Sequence, residues 1–245
     1  MSIAYERHPP QLRMHLLDPS GGLGYHWRAL RYRHHFWAPF ISTVAGWLHA
    51  WQPPTKHLVI VGPSAGYALP TPFLARFGQI TVLEPDPLAR LILRRRLRPL
   101  RLEAGTLDCL SDRDGPRWLA RQYPDASLLF ANILGQAPPL TARPDWAAHL
   151  RDALRGHHWA SWHDVLSAST APRVDAATPL LPAPDIATLA GRLWHWPTEV
   201  CDHDNFGLVG RQDALALWQL APHQWQVVEW GIHHPATGLG DPAAG

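Results

Sequence analysis

Short, continuously apolar runs alternate with helix-like segments through most of this chain. The run from Lys56 to Gly62 is rich in β-branched residues and ends in glycine, and the run from Gln79 to Leu83 has the same character. Neither run shows the alternation of apolar and polar residues that marks a half-exposed strand, so both predict strands buried on both faces. Helices between such strands indicate a parallel sheet that is covered on both sides. The alternation therefore restricts the chain to the α/β class.

Local patterns predict where the individual elements lie. Helices are expected over residues 38–51, 71–77, 86–96, 115–123, 145–155 and 184–194. Strands are expected over residues 56–62, 79–83, 102–110, 126–133, 158–166, 206–209, 214–219 and 225–232. The segment 221–223, Ala-Pro-His, separates the last two strands and favours an antiparallel hairpin at the end of the sheet. Residues 1–35 carry turn signals, so we expect them to be irregular.

The chain is expected to form one main domain with an extension at each end. Its length of 245 residues and its apolar fraction of 46% are ordinary for a single α/β domain. We place this domain at residues 56–235, a helical or irregular extension packed on the core at 1–55, and a flexible tail at 236–245. The uncharged stretch 36–55 contains proline, histidine and glutamine, which makes it too polar for a membrane span.

Charge and cysteine content narrow the class of partner and the compartment. The formal net charge is +2, which gives no reason to expect nucleic acid as a partner. The chain has two cysteines, too few for a disulfide framework, and its first residues lack the pattern of a signal peptide. We therefore expect a cytoplasmic protein that acts on a small molecule or on another protein.

The turn after the first predicted strand is the best candidate for a ligand site. The segment 62–66, Gly-Pro-Ser-Ala-Gly, follows that strand, and Glu84 ends the next one. In a doubly wound sheet, ligands bind beyond the carboxyl ends of the strands, where glycine lets the backbone approach them closely. An acid at the end of the second strand accepts hydrogen bonds from the ribose hydroxyls of an adenosine. The unit therefore predicts a nucleotide-type site between the glycine turn and Glu84.

This unit resembles the nucleotide-binding half of class I S-adenosylmethionine-dependent methyltransferases. The segment 128–136, Leu-Leu-Phe-Ala-Asn-Ile-Leu-Gly-Gln, resembles the fourth-strand motif of the same family, whose Asn or Asp lies near the reactive methyl group. The turn departs from the family pattern in having two glycines and no acid directly before it. The resemblance implies a Rossmann-like doubly wound, mostly parallel sheet with helices on both faces and an antiparallel C-terminal hairpin. It also implies methyl transfer to a small-molecule or protein acceptor, with S-adenosyl-L-methionine as cofactor. The cofactor-binding residues that it implies are Gly62, Pro63, Ser64, Gly66, Glu84, Asn132 and Leu134.

Two other functions stay open at this point. The segment 62–66 also fits the Gly-x-Ser-x-Gly nucleophile elbow of α/β-hydrolases, in which a strained turn exposes a serine hydroxyl, here that of Ser64. The candidate partners of that serine are the acids Asp164 and Asp202 and the bases His203 and His233. The short stretch before Ser64 and the prolines after it weigh against a hydrolase. The turn also fits a catalytically inactive scaffold that keeps the fold and binds a partner.

The segment 161–164, Ser-Trp-His-Asp, provides the candidate catalytic side chains. It lies on or after a predicted strand, on the side where a substrate would sit. An imidazole, whose ordinary pKa is near neutrality, can remove a proton from an attacking oxygen or nitrogen. We therefore predict His163 and Asp164 as catalytic residues.

Two further groups of residues are given other interpretations. The segment 201–205, Cys-Asp-His-Asp-Asn, is dense in potential ligands, but adjacent side chains on an extended segment point to opposite faces, so we predict no metal site. Most of the four tryptophans between residues 158 and 197 are expected in core or loop packing, and a minority in an aromatic pocket for a methyl-bearing cation. These tryptophans are Trp159, Trp162, Trp194 and Trp196.

Overall fold

Helices and strands alternate along the computed structural model, which describes residues 9–13, 22–134, 145–195, 197–210 and 213–236. The helices are α1 (Gly22–Tyr32), α2 (Ala38–Ala50), α3 (Thr71–Leu74), α4 (Pro87–Arg96), α5 (Gly115–Gln122), α6 (Trp146–Ala153) and α7 (Ile186–Leu193). The strands are β1 (His57–Val61), β2 (Gln79–Leu83), β3 (Leu102–Ala104), β4 (Ala126–Ala131), β5 (Trp159–Ala168), β6 (Val200–Asp202), β7 (Ala214–Ala221) and β8 (Gln224–His233).

The strands form a single eight-stranded sheet in the order β3-β2-β1-β4-β5-β8-β7, with β6 paired to β5 off this path. Strands β1 to β5 run parallel to one another. Strand β8 runs antiparallel to β5, and β7 runs antiparallel to β8. The predicted fold class is therefore confirmed: the sheet is mostly parallel and ends in an antiparallel C-terminal hairpin.

The strand order reverses at β1, which lies between β2 and β4. Residue His57 is paired with Gln79 on one side and with Ala126 on the other, so the three strands start level with one another. Their carboxyl ends therefore meet at one edge of the sheet. In doubly wound sheets this reversal opens a crevice that binds ligands.

Apolar side chains cover both faces of the sheet. On one face α1, α2, α3 and α4 bury residues such as Phe40 and Leu93 against the strands. On the other face α5 and α6 bury Leu119 and Leu150. Helix α7 packs against the far ends of β5, β7 and β8. This arrangement is the two-sided cover that the continuously apolar strands require.

Local sequence signals account for the start of α4 beside the crevice. Asp86 is the N-cap residue, and its Oδ1 accepts hydrogen bonds from the N–H groups of Leu88 and Ala89. Pro87 occupies the first helical position, where a missing N–H costs nothing. The cap fixes the backbone directly after Glu84, which places that side chain at the crevice.

Three local predictions were wrong. The region predicted as irregular contains α1, which forms because His26 and Ala29 bury one side of it, although Gly22 and Gly24 weaken its helical pattern. Residues 206–209 form a turn and not a strand, since Gly207 has a φ of 72°. Strand β3 ends well before residue 110, because residues 108–111 form a turn around the Asp108 side chain.

Some predictions fall outside what the structure tests. Residues 135, 136 and 196 and the predicted tail from 237 onward lie outside the described residues. The domain boundary at residue 55 and the cytoplasmic location stay predictions. Both cysteines have free thiols, one buried and one exposed. Among the described helices, we find none with the length and apolar character needed to cross a membrane.

Candidate functional site

A cavity of about 870 Å³, including its open mouth, lies at the carboxyl ends of β1, β2 and β4. Its floor is formed by the glycine turn, Glu84 and Asn132, each directly after one of these strands. Helices α1 and α2 cover it with Tyr25 and Phe40. The position of the cavity is the one expected from the strand order.

The two glycines of the turn are required by backbone shape and by packing. Gly62 and Gly66 have φ values of 64° and 63°, a region that glycine adopts without strain. A Cβ atom on Gly62 would lie 2.7 Å from the Cβ of Ile133. A Cβ atom on Gly66 would overlap Leu93. The glycines therefore allow the turn to fold tightly over β4 and α4, which sets the shape of the cavity floor.

The buried carboxylate of Glu84 stabilises the glycine turn through hydrogen bonds to the backbone. Its Oε2 accepts a hydrogen bond of 2.7 Å from the N–H of Ser64, and its Oε1 accepts one of 3.0 Å from the N–H of Asp86. The side chain is 6% exposed, and this burial raises the pKa of the carboxyl, while the two N–H donors oppose the rise. Each carboxylate oxygen keeps a second acceptor position for a ligand that donates hydrogen bonds.

Asn132 has an unusual backbone and an unpaired side-chain oxygen. Its φ is 58°, and its N–H donates to the carbonyl of Trp162 at 2.8 Å. Its Oδ1 is buried without a hydrogen-bond partner in the part of the chain that the structure describes, and the residue lines the cavity. Buried polar atoms normally have partners, so an unpaired one beside a cavity indicates a place for a donor.

Leu134 is the one predicted cofactor residue that does not line this cavity. Its side chain is fully buried in the apolar cluster under α5 and α6. The predicted residues Gly62, Pro63, Ser64, Gly66, Glu84 and Asn132 all line the cavity. Their binding roles stay predictions, and the structure brings these six side chains or backbone segments to one place.

A second cavity, of about 490 Å³, adjoins the first and was missed by the sequence analysis. The two cavities share Gly62, Pro85 and Ile133 as lining residues. The second cavity is walled by Leu83 and Leu107, and Asp108 is the acid in its lining. The Oδ1 of Asp108 accepts hydrogen bonds from the N–H groups of residues 110 and 111. The pattern of a leucine and an acid soon after the third strand is the signal from which this site was predictable.

A second group that the sequence analysis missed joins α1 to the cavity rim. The Nδ1 of His26 lies 3.2 Å from the hydroxyl of Tyr67, and its Nε2 lies 3.6 Å from Oδ2 of Asp86. Tyr67 and Asp86 both line the cavity, and His26 is buried behind them. These contacts fix α1 over the cavity, and no motif in the sequence indicates them.

The predicted catalytic pair lies away from the cavity. His163 is fully buried, with Nδ1 3.1 Å from the hydroxyl of Ser161 and Nε2 3.1 Å from the carbonyl of Asn205. Asp164 accepts a hydrogen bond from Gln226 at 3.1 Å. Neither residue lines either cavity. Their catalytic role stays a prediction, and the geometry gives it no support.

His163 lies away from the cavity because side chains alternate between the two faces of β5. Successive residues of a strand point to opposite faces, so Trp162 reaches the cavity and His163 points the other way. Burial lowers the pKa of His163 from 6.5 to about 4, which keeps the imidazole neutral. Burial also raises the pKa of Asp164.

The partners proposed for a serine nucleophile do not meet Ser64. None of the four lines the cavity that contains this residue. His203 contacts the hydroxyl of Ser167 at 3.0 Å and lies 3.7 Å from Asp164. His233 contacts the carbonyl of Arg155. Ser64 itself has a φ of 50°, so it lies in a tight turn. Because none of the four partners lines its cavity, these residues form no catalytic triad with Ser64.

The tryptophans divide as the sequence analysis expects. Trp159 and Trp194 are buried in apolar clusters. Trp162 lines the cavity. Trp196 lies outside the described residues.

Comparison with solved structures finds methyltransferases of similar shape. N-methyltransferase NodS from Bradyrhizobium japonicum WM9 is 11% identical, and the match covers 81% of this chain and 97% of that one with a TM-score of 0.45. Magnesium protoporphyrin IX methyltransferase (ChlM) from Synechocystis PCC 6803 with bound SAH is 10% identical, covering 86% and 95% with a TM-score of 0.45. The glycopeptide N-methyltransferase MtfA, complexed with S-adenosylmethionine, is 15% identical, covering 78% and 92% with a TM-score of 0.38.

No protein-family model matches the sequence, and neither does any curated protein. Identities and TM-scores as low as those of the solved structures leave the activity to be argued from the site itself.

Proposed function

We infer that the protein transfers a methyl group from S-adenosyl-L-methionine to a small-molecule or protein acceptor. The observation that supports this most is the pair of adjoining cavities at the strand reversal, with Glu84 and Asp108 as acids in their linings. A nucleoside needs a flat apolar slot for its base and acceptors for its ribose hydroxyls. The second cavity and Glu84 offer these two features side by side.

The residues of both cavities fit the parts of this cofactor. The leucine-walled second cavity suits the adenine ring, and Oδ2 of Asp108 makes no hydrogen bond within the described residues, which suits an exocyclic amine. Glu84 suits the ribose, because each of its oxygens accepts only one hydrogen bond from the backbone. The turn at Gly62–Gly66 suits the amino-acid part, and the unpaired Oδ1 of Asn132 suits its ammonium group.

The chain's own part in the reaction is placement and exclusion of water. The cofactor supplies an activated methyl group, so the protein needs to hold the acceptor in line with it and needs no nucleophile of its own. Tyr25 and Phe40 cover one side of the cavity from α1 and α2, which limits the access of water to the reacting groups. His163 and Asp164 have no step in this proposal, since their side chains lie outside the cavity.

The cover that two helices form over one side of the cavity supports a small molecule as the acceptor more than a folded protein. Helices α1 and α2 both contribute to its lining, so an acceptor has to fit between them and the sheet. A protein acceptor would have to present one extended side chain to this space.

Calorimetric titration tests the proposed function without any knowledge of the acceptor. The wild-type protein is titrated with S-adenosylmethionine, with S-adenosylhomocysteine and with adenosine alone. We expect binding of both cofactor forms with dissociation constants on the order of micromolar, and weaker binding of adenosine, because it lacks the amino-acid part. Absence of binding by both cofactor forms at millimolar concentration would contradict the proposal and favour an inactive scaffold.

A further inference from the structure

The wall of the cavity that α1, α2, β5 and β7 supply is aromatic. Tyr25, Phe40, Trp162 and Trp218 contribute one residue from each of these elements. Glu84 and Asn132 lie on the floor, directly after the strands that meet at the strand reversal. Two chemically different surfaces thus share one space, and the proposed cofactor accounts for the floor alone.

The aromatic rings are held in place by one another. Phe40 and Trp218 are stacked at 4.5 Å with an angle of 10° between the ring planes. Trp37 packs edge-on against Trp218 at 5.3 Å, and its Nε1 donates to the carbonyl of Leu220. Tyr25 packs against Trp37 at 5.2 Å. Rings fixed in this way form a preorganised surface, so a ligand bound there loses little affinity to reordering of the wall.

The charged side chains of the lining are acidic. Among the described lining residues we find the carboxylic acids Glu84 and Asp86 and no lysine, arginine or histidine. Burial raises the pKa of both Tyr25 and Tyr67, so their phenols stay neutral. An anionic acceptor therefore finds no cationic side chain among these described lining residues.

Basic side chains near the cavity, His26 among them, lie outside its lining. The guanidinium of Arg96 lies over the ring of Tyr67 at 5.0 Å and donates to the carbonyl of Ala65. Arg28 and Arg96 both lower the pKa of Tyr25 through their charge, but neither lines the cavity. Arg96 is thus engaged with the ring of Tyr67 and with the glycine turn.

From this aromatic wall and the absence of a basic side chain among the described lining residues we propose that the acceptor is a small organic amine, bound through its ammonium group. Aromatic faces carry negative electrostatic potential and attract cations, most strongly where water is excluded. The proposal rests on the proposed function and specifies its substrate class. The ammonium gives one proton to bulk water at the open mouth of the cavity. The nitrogen lone pair then forms the new bond to the methyl carbon, while the bond from that carbon to sulfur breaks and its electron pair stays on sulfur.

Three probes that share a phenylethyl group and differ in charge test the proposal. They are 2-phenylethylammonium, 2-phenylethanol and 3-phenylpropanoate, each titrated into protein saturated with S-adenosylhomocysteine. We expect the ammonium to bind at least about tenfold more tightly than the alcohol, and the carboxylate to bind most weakly. Equal affinities for ammonium and alcohol, tighter binding of the carboxylate, or no binding of the ammonium would overturn the proposal.

Two variants separate the contribution of the aromatic wall to ligand binding from its contribution to the fold. Trp218→Leu removes a ring of the wall, and Trp225→Leu removes an equally buried ring that does not line the cavity. We expect the first change to weaken ammonium binding about tenfold and the second to leave it unchanged. If Trp218→Leu does not fold, Tyr25→Leu, at a half-buried position of α1, replaces it.

The same titrations distinguish failure of the inference from failure of the proposed function. Protein that binds S-adenosylhomocysteine but does not prefer the ammonium probe contradicts the inference alone. Protein that does not bind S-adenosylhomocysteine contradicts the proposed function, and with it the premise of the inference.

Discussion

Trp162 and His163 point to opposite faces of β5, and the polar groups beside them differ in what they border. Beside Trp162, Glu84 and Asn132 follow β2 and β4 and lie at the cavity. On the other face, His163 and Glu229 of β8 are both fully buried and lie 3.9 Å apart, from Nε2 to Oε2. The first group borders space for a ligand, whereas the second is enclosed by protein.

The difference shows that shifted pKa values do not by themselves mark a functional site. Burial raises the pKa of Glu229 to about 7 and lowers that of His163 to about 4, yet neither residue lines either cavity. Glu84 has a raised pKa too, and it borders open space. The two groups differ in whether a ligand can reach them, and the following substitutions test that difference.

Replacing His163 by leucine gives the largest expected effect, on stability alone. The change leaves the hydroxyl of Ser161 and the carbonyl of Asn205 without the imidazole that they contact. We expect a loss of about 3–4 kcal/mol in the free energy of unfolding, since two buried polar groups lose their partner. Urea denaturation measures the loss, and calorimetry is expected to show unchanged affinity for S-adenosylhomocysteine.

His149→Leu is the matched control for this change. His149 is half-buried on α6 and contacts the carbonyl of Arg113, so the control is expected to cost less than about 1 kcal/mol. A folded His163→Leu protein that has lost cofactor binding would contradict the division between the two faces.

Replacing Glu229 by glutamine tests the enclosed group through pH. Folded Glu229 keeps its proton up to about pH 7, whereas an unfolded glutamate loses it near 4.5, so this group stabilises the fold less as pH rises between these values. His163 acts in the opposite sense, because its pKa falls from 6.5 to about 4 on folding, so its effect on stability rises with pH between these values. Glutamine at position 229 removes the pH effect of Glu229 and keeps that of His163.

We therefore expect Glu229→Gln to be more stable than wild type by about 2 kcal/mol near pH 8, with little difference near pH 5. Urea denaturation at both pH values measures the difference. Glu199→Gln, at an exposed position, serves as the control and is expected to follow the wild type. A Glu229→Gln protein that is less stable than wild type near pH 8 would show that the ionised carboxylate stabilises the fold.

Replacing Ser64 by alanine gives the smallest expected effect. The contact from this residue to Glu84 is made by its N–H and not by its hydroxyl. We expect stability to change by less than about 0.5 kcal/mol and the affinity for S-adenosylhomocysteine to stay within about threefold. A fluorophosphonate probe is expected to leave wild-type Ser64 unlabelled. Labelling that disappears in Ser64→Ala would instead support a serine hydrolase.

The fold and the cavity floor were predictable from sequence because their signals are local. Buried parallel strands are continuous apolar runs, and the end of each run marks the edge where Gly62, Glu84 and Asn132 meet. The start of α4 was predictable for the same reason, since Asp86 and Pro87 form a standard cap.

The aromatic wall and the catalytic pair were not predictable in this way. Tyr25, Phe40 and Trp218 come from distant parts of the chain, and their meeting depends on how α1 and α2 pack against β7. To predict where His163 lies, one has to know which residues of β5 face the cavity. An error of one residue in the alternation places every side chain of β5 on the wrong face. The sequence does not reveal the alternation, because β5 is buried on both faces.

Titration of S-adenosylhomocysteine into Glu84→Gln and Glu103→Gln tests the central claim most directly. Both changes remove one carboxylate and keep its size, but Glu84 lies in the cavity whereas Glu103 is exposed on β3. We expect Glu84→Gln to weaken binding at least about tenfold, as for loss of a charged hydrogen-bond acceptor, while Glu103→Gln binds as the wild type does. Equal binding by the two folded variants would contradict the assignment of Glu84 to the cofactor.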